Sequence, residues 1–231
     1  REDKDTLLFE NDQEKMEAVI NSVLASQKTG QPVLIGTTSV NESNRLYQEF
    51  RRRGISCEVL NAENAALEGE IISRAGVKGA VTISTQMAGR GTDIKLGGEF
   101  SQVVDEVKQE IVDRMVKTRL QGQQVSEEEI RQMQIGAAKW LEDKKSEDIL
   151  RKAQDRWNKN REELIATGGL KVIGYSHFST KRDDDQLRGR AARQADPGVT
   201  EFYCSVRDLK ENLGVTNDRI KYLRKNGLGK G

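Results

Sequence analysis

The sequence is poor in the residues that build metal sites, disulfide frameworks and membrane spans. Only two of its 231 residues are cysteines, Cys57 and Cys204, and neither has a CxxC partner. That spacing argues against a disulfide scaffold and against a zinc ribbon. The single histidine, His177, leaves no two-histidine metal site and argues against a histidine-based triad. No metal ligands are assigned. No apolar run approaches the roughly 18 residues of a membrane-spanning helix. The first twenty residues carry charge throughout and hold no signal-peptide core. Aromatics make up 5%, and 38 Lys+Arg against 37 Asp+Glu leave a net charge of +1. Such a chain exerts no overall pull on nucleic acid.

What is present is a lean but sufficient core, 35% hydrophobic, under a surface rich in charge, 32%. One large domain or two small ones are expected. The chain begins at Arg1 rather than Met, as expected of a piece of something longer.

Short apolar stretches at 33–36, 57–60, 80–84, 171–174 and 201–206 read as strands. Helical spacing lies between them. Met16, Val19, Ile20, Val23 and Leu24 recur at helical intervals over 14–29, and Gly30 is a fitting stop. Ser39 with Glu42 has capping-box spacing, and Leu46, Tyr47 and Phe50 form the stripe that follows. Arg51, Arg52 and Arg53 close that helix, where cations complement the helix dipole. Alternating strands and helices over 33–84 predict parallel pairing with right-handed crossovers. In such a sheet the informative residues follow the strands' carboxyl ends.

Residues 99–167 differ. They contain no proline, only Gly122 and Gly136 as glycines, and both tryptophans. Ser126 with Glu129 predicts another capping box. We expect a two- or three-helix insertion ending near Gly168-Gly169. The divisions expected are 1–98 with 168–212, 99–167, and a tail over 213–231 that frays.

Two constellations carry chemistry. After the strand at 80–84 comes Thr85-Gln86-Met87-Ala88-Gly89-Arg90-Gly91-Thr92-Asp93-Ile94. Gly89 and Gly91 let the backbone come close to a ligand. Arg90 between them could reach a polyanion, and Asp93 could accept a ribose hydroxyl or hold an arginine. The second is Gln186-Leu187-Arg188-Gly189-Arg190-Ala191-Ala192-Arg193-Gln194. A helix there would put Gln186, Arg190, Arg193 and Gln194 on one face, a pair of guanidinium groups suited to phosphate. Either stretch alone reads as well as a solvated surface. No G-x-x-x-x-G-K-[ST] string occurs; the nearest, Gly169–Ser176, has Tyr175 in the lysine's place.

Together the two stretches resemble motifs V and VI in the second RecA-like domain of superfamily-2 motor ATPases. The string Met87-Ala88-Gly89-Arg90-Gly91-Thr92-Asp93-Ile94-Lys95-Leu96-Gly97-Gly98 narrows the resemblance to SecA, the bacterial protein-export ATPases. So do Gly30-Gln31-Pro32-Val33-Leu34-Ile35-Gly36-Thr37 and Asp184-x-Gln186-Leu187-Arg188-Gly189-Arg190-Ala191. The resemblance implies a RecA-like α/β fold, a doubly wound parallel sheet with a helical insertion. It implies that ATP with Mg2+ lies between this domain and a first RecA-like domain, which holds the P-loop and most of the metal's ligands. Arg90, Arg190 and Arg193 would then act on the nucleotide, with Gly89, Gly91, Asp93 and Gln186 binding it. The implied partners are that first domain, a preprotein and the membrane channel, with the protein peripheral to the inner face of the bacterial membrane and no nucleic acid bound.

The chain departs from the family at two places. Gly174-Tyr175-Ser176-His177-Phe178 stands where Gly-Thr-Glu-Arg-His is usual, and Ala192 and Ala195 replace two glycines. These changes point to an accessory, divergent member, with His177 a loop or packing residue. The alternatives are a nucleic-acid helicase half, which shares both motifs, and a non-catalytic module that binds partners through 99–167.

Overall fold

The computed structural model describes residues 1–60, 67–85, 93–120, 126–143 and 147–226. Its strands are β1 (Glu2–Asp3), β2 (Leu7–Phe9), β3 (Val33–Thr37), β4 (Glu58–Leu60), β5 (Val81–Thr85), β6 (Leu170–Gly174) and β7 (Gly198–Ser205). They pair in parallel in the order β1-β7-β6-β3-β5-β4, with β2 also on β7. Val33 on the central strand pairs with Val81 on one side and Lys171 on the other. The strand order therefore reverses at β3, and the crevice beside a reversal is where such sheets bind ligands.

Alternate strand residues feed two apolar layers. Val33, Ile35, Val81, Ile83 and Ile173 face α1 (Asp12–Thr29) and α2 (Val40–Arg52), meeting Val19, Ile20, Val23, Leu46 and Phe50. Leu34, Leu170 and Val172 face the other way, toward Ile71 and Ile72 of α3 (Glu68–Arg74) and Leu187 of α7 (Lys181–Arg188). Cover on both faces explains why β3 runs apolar through Val33, Leu34 and Ile35.

The helix ends follow local chemistry. Asn11 caps α1 by accepting from the Glu14 N–H, and Gly30, at φ 78°, closes it. At α2, Ser39 accepts from the Glu42 N–H at 3.2 Å. The reciprocal bond differs from expectation: Glu42 accepts from the N–H and hydroxyl of Thr38, at 2.9 and 2.6 Å. Arg53 pairs with Glu17 and Glu49, and Arg52 with Glu49, so these cations are part of the helix surface.

Two differences lie at the chain's ends. The edge segments β1 and β2 add to β7, which itself begins at Gly198 rather than at 201. The tail expected to fray, 213–231, is helical over α9 (Asn217–Asn226) and follows directly on α8 (Val206–Glu211). Ile220 of α9 is buried, and Arg224 grips Glu10 with two nitrogens at 2.9 Å.

The described residues divide into two compact units, Arg1–Gly97 with Glu162–Gly231, and Gly98–Arg161. The second is helical, drawn from α4 (Phe100–Leu120), α5 (Glu127–Asp143) and most of α6 (Glu147–Ala166). It has its own apolar cluster, in which Val103, Val107, Val112 and Val116 meet Leu141, Ile149 and Ala153. The Trp157 indole donates to the Gly98 carbonyl at 3.1 Å and meets Phe100 edge-on. Ser126 and Glu129 form the full capping box that their spacing predicts.

Candidate functional site

Within the sheet unit a cleft of about 330 Å³ opens beside the carboxyl ends of β3 and β5. Gly36 of β3, Ser84 and Thr85 of β5, and Gln186, Arg190 and Arg193 line it. Gly36 has a steric task there. A Cβ on it would lie 2.5 and 2.7 Å from the two Leu187 methyl carbons, so glycine lets α7 lie close over the central strand. Arg90, Gly89 and Gly91 lie outside the described residues.

The arginines do not reach the cleft as expected. A helix continuing through 186–194 would display them on one face, but α7 stops at Arg188 with Gly189 as its cap. The chain then bends through Ala192 at φ 58° and Ala195 at φ 65°, with a short 3-10 turn over Arg193–Ala195 between them. Packing overrides alanine's helix preference. Ala191 is buried, and the start of β7 presses so near that a Cβ on Gly198 would sit 2.7 Å from the Ala192 nitrogen. Arg190 and Arg193 thus enter the cleft from a tight turn. The side chain of Gln194 lies outside the described set.

Arg193 is held in place. Its Nε donates to the Gly189 carbonyl at 3.0 Å, and its Nη1 pairs with the Asp93 carboxylate. The structure therefore joins two residues that are a hundred positions apart. The side chains are 37% and 40% exposed, and an ion pair that open is worth only about 0–1 kcal/mol. His177 is not among the residues lining the cleft.

A buried ionic network that no motif announces lies on the opposite face of the sheet. Lys15 is fully buried, its Nζ 2.6 Å from Asp208 Oδ2 and 3.9 Å from the centre of the Tyr175 ring. Asp208 also accepts from the Ser205 N–H at 2.8 Å. Burial, reinforced by the carboxylates of Glu42, Asp12 and Asp208, pushes the Tyr175 phenol well above its usual range and keeps it neutral. The one available signal was a lysine beside Met16 at the foot of an apolar stripe.

The cleft brings the guanidinium groups of Arg190 and Arg193 and the amide of Gln186 together. Asp183 also lines it, and Leu34, Leu60, Ile72, Ile94 and Phe178 form its apolar wall; a hard cation needs several carboxylates. Among the described residues no cluster of three or more His, Cys, Asp or Glu could hold a metal. No described helix is long and apolar enough to cross a membrane.

A family model described as "SecA P-loop domain" matches residues 1–228. The chain belongs to that SecA family. Among its relatives, protein translocase subunit SecA 1 of Alkaliphilus metalliredigens is 37% identical over 230 residues, 99% of this chain and 25% of that protein. Protein translocase subunit SecA of Roseiflexus sp. is 41% identical over 224 residues, 96% of this chain and 20% of that protein. The SecA of Kocuria rhizophila is 40% identical over 210 residues, again 20% of its length. The chain thus spans a fifth to a quarter of these SecA proteins. Among solved structures, the E. coli DEAD-box protein SrmB bound to RraA matches with a TM-score of 0.50 at 13% identity, covering 90% of this chain and 80% of that one. That likeness speaks for the fold, a RecA-like α/β sheet flanked by helices.

Proposed function

We propose that this chain is the second RecA-like half of an ATP-driven protein-translocation motor of the SecA type. It closes on ATP held by a first RecA-like domain. The observation that carries the reading is the convergence of Gln186, Arg190 and Arg193 with the carboxyl ends of β3 and β5, in a sequence without a G-x-x-x-x-G-K-[ST] string.

In this reading Arg190, with Arg90 and Arg193, meets the charge that grows on the transferring phosphoryl group, as arginine fingers do. Gly89 and Gly91 let the backbone come close, and Gln186 reports on the nucleotide as a polar sensor. Arg193 must first exchange Asp93 for phosphate, leaving Asp93 beside the nucleotide. Mg2+ would be held mainly by the first domain. Closure and opening would then drive a preprotein through the membrane channel, with the protein at the inner face of the bacterial membrane. The replaced glycines and His177 support an accessory member of the family.

The 231-residue chain alone is expected to hydrolyse ATP negligibly. In the longer protein Arg190→Ala should lower kcat by about 10³-fold or more, with a far smaller effect on nucleotide affinity. Tight Mg-ATP binding and steady turnover by the isolated chain would identify it as the P-loop half and overturn the proposal.

A further inference from the structure

His177 bridges two segments that the chain order keeps far apart. Its Nδ1 lies 2.7 Å from Asp184 Oδ2 on α7, and its Nε2 lies 2.8 Å from the Thr6 hydroxyl, in the link between β1 and β2. A carboxylate only accepts, so Nδ1 carries a proton; in the neutral ring Nε2 then accepts from the Thr6 O–H. The other Asp184 oxygen accepts from the Phe178 N–H at 2.9 Å. The imidazole also stacks on Phe202, 4.5 Å between centroids and 7° from parallel.

A second bridge runs beside it. Arg188, the last residue of α7, lies 4.6 Å from the centre of the same Phe202 ring and donates to the Thr200 hydroxyl at 2.5 Å. Thr200 in turn donates to Asp3 of β1 at 2.7 Å, and Asp3 lies 3.7 Å from Arg188 itself. Burial opposes the charge on Asp3, but Thr200, Arg1 and Arg188 outweigh it and hold the carboxyl below its usual range.

We propose that His177, with Arg188 beside it, is a positioning residue. It splints α7 to the β1–β2 segment and so fixes the turn that delivers Arg190 to the cleft. The geometry uses both ring nitrogens at once, Nδ1 on Asp184 of α7 and Nε2 on Thr6, while Arg188 ties the end of α7 to Thr200 and Asp3. No other residue type at 177 offers a rigid donor and acceptor on opposite sides of a ring that also stacks. The functional consequence rests on the nucleotide-facing reading of Arg190; the splint does not.

Amide hydrogen exchange on the 231-residue chain tests the splint without any nucleotide. His177→Ala should speed exchange over 181–195 by about tenfold, the loss of one charge-assisted hydrogen bond, while 33–37 and 81–85 stay as in the parent. His177→Asn, which keeps a donor near the Nδ1 position, should restore part of the protection. Thr6→Val should weaken it in the same direction. Unchanged exchange over 181–195 in His177→Ala overturns the proposal, as does an equal rise across the sheet, which would mark general destabilisation. In the longer protein His177→Ala should reduce kcat with little change in nucleotide KM. If the local exchange effect is present but Arg190→Ala has no effect on turnover, the nucleotide reading fails and the splint stands.

Discussion

Ala192 and Ala195 occupy backbone conformations that cost a residue with a Cβ about 1–2 kcal/mol each. Glycine removes that strain but gives back about 0.4–1 kcal/mol through a more flexible unfolded chain. Ala192→Gly and Ala195→Gly are therefore expected to stabilise the protein by roughly 0.5–1 kcal/mol apiece, read as a rise in the urea midpoint. A fall at either site would mean that the turn is held differently. Placing arginine between two strained alanines also stiffens the segment that carries it. Glycines in those places would let Arg193 sample more positions.

A second residue-scale feature sets a pH limit. Burial works to raise the Glu201 carboxyl, but the Lys171 ammonium and the hydroxyls of Tyr203 and Ser22 outweigh it and leave it below the ordinary range. Lys171 Nζ sits 2.8 Å from Glu201. A lowered folded value means stability that is complete above the unfolded value, about 4.3, and is lost as the pH falls through the folded one. Glu201→Gln should cost about 1–3 kcal/mol at pH 7. It should also flatten the loss of stability below about pH 4.3, as followed by denaturant unfolding at stepped pH. An equally steep acid limb in the variant would assign the effect elsewhere.

At the scale of elements, legibility in the sequence followed the range of the forces. The strands at 33–36, 80–84 and 171–174 were plain because each carries apolar residues, β-branched above all, that enter a core layer. The cap at Ser126 was plain because both partners sit within one turn. β1 and β2 were invisible: Glu2-Asp3 is charged, Leu7–Phe9 is three residues long, and both exist only because β7 offers an edge. The break after Arg188 was hidden for the same reason. Alanine favours helix, and the close approach of Gly198 to Ala192 does not show in the sequence. The two cleft arginines could be named from their motif; that Asp93 would hold Arg193 needed the fold. Lys15 and Asp208, far apart in sequence, gave no sign of each other.

At the scale of the whole molecule, the two compact units have separate cores. Among the described residues, none in either apolar layer of the sheet comes from 98–161, and every one in the helical cluster does. Replacing 98–161 with a short Gly/Ser linker should leave the sheet unit folded, with one cooperative unfolding transition by circular dichroism. Each unit's own core predicts that outcome. Loss of the transition would show that the sheet depends on the helices for stability.

The central pairing also orders events in time. β3 meets β5 soon after both have been made, but its other neighbour, β6, follows the whole helical stretch, and β1 and β2 wait longer still for β7. Contacts distant along the chain form slowly, whereas the helical unit closes through near neighbours. A growing chain would hold a finished bundle beside a half-built sheet whose open edge lacks its partner. Both tryptophans, Trp140 and Trp157, belong to the stretch that completes first. The emission of Trp157, whose indole is bonded to Gly98 and set against Phe100, would time the early event and miss the later one, in which the cleft takes shape.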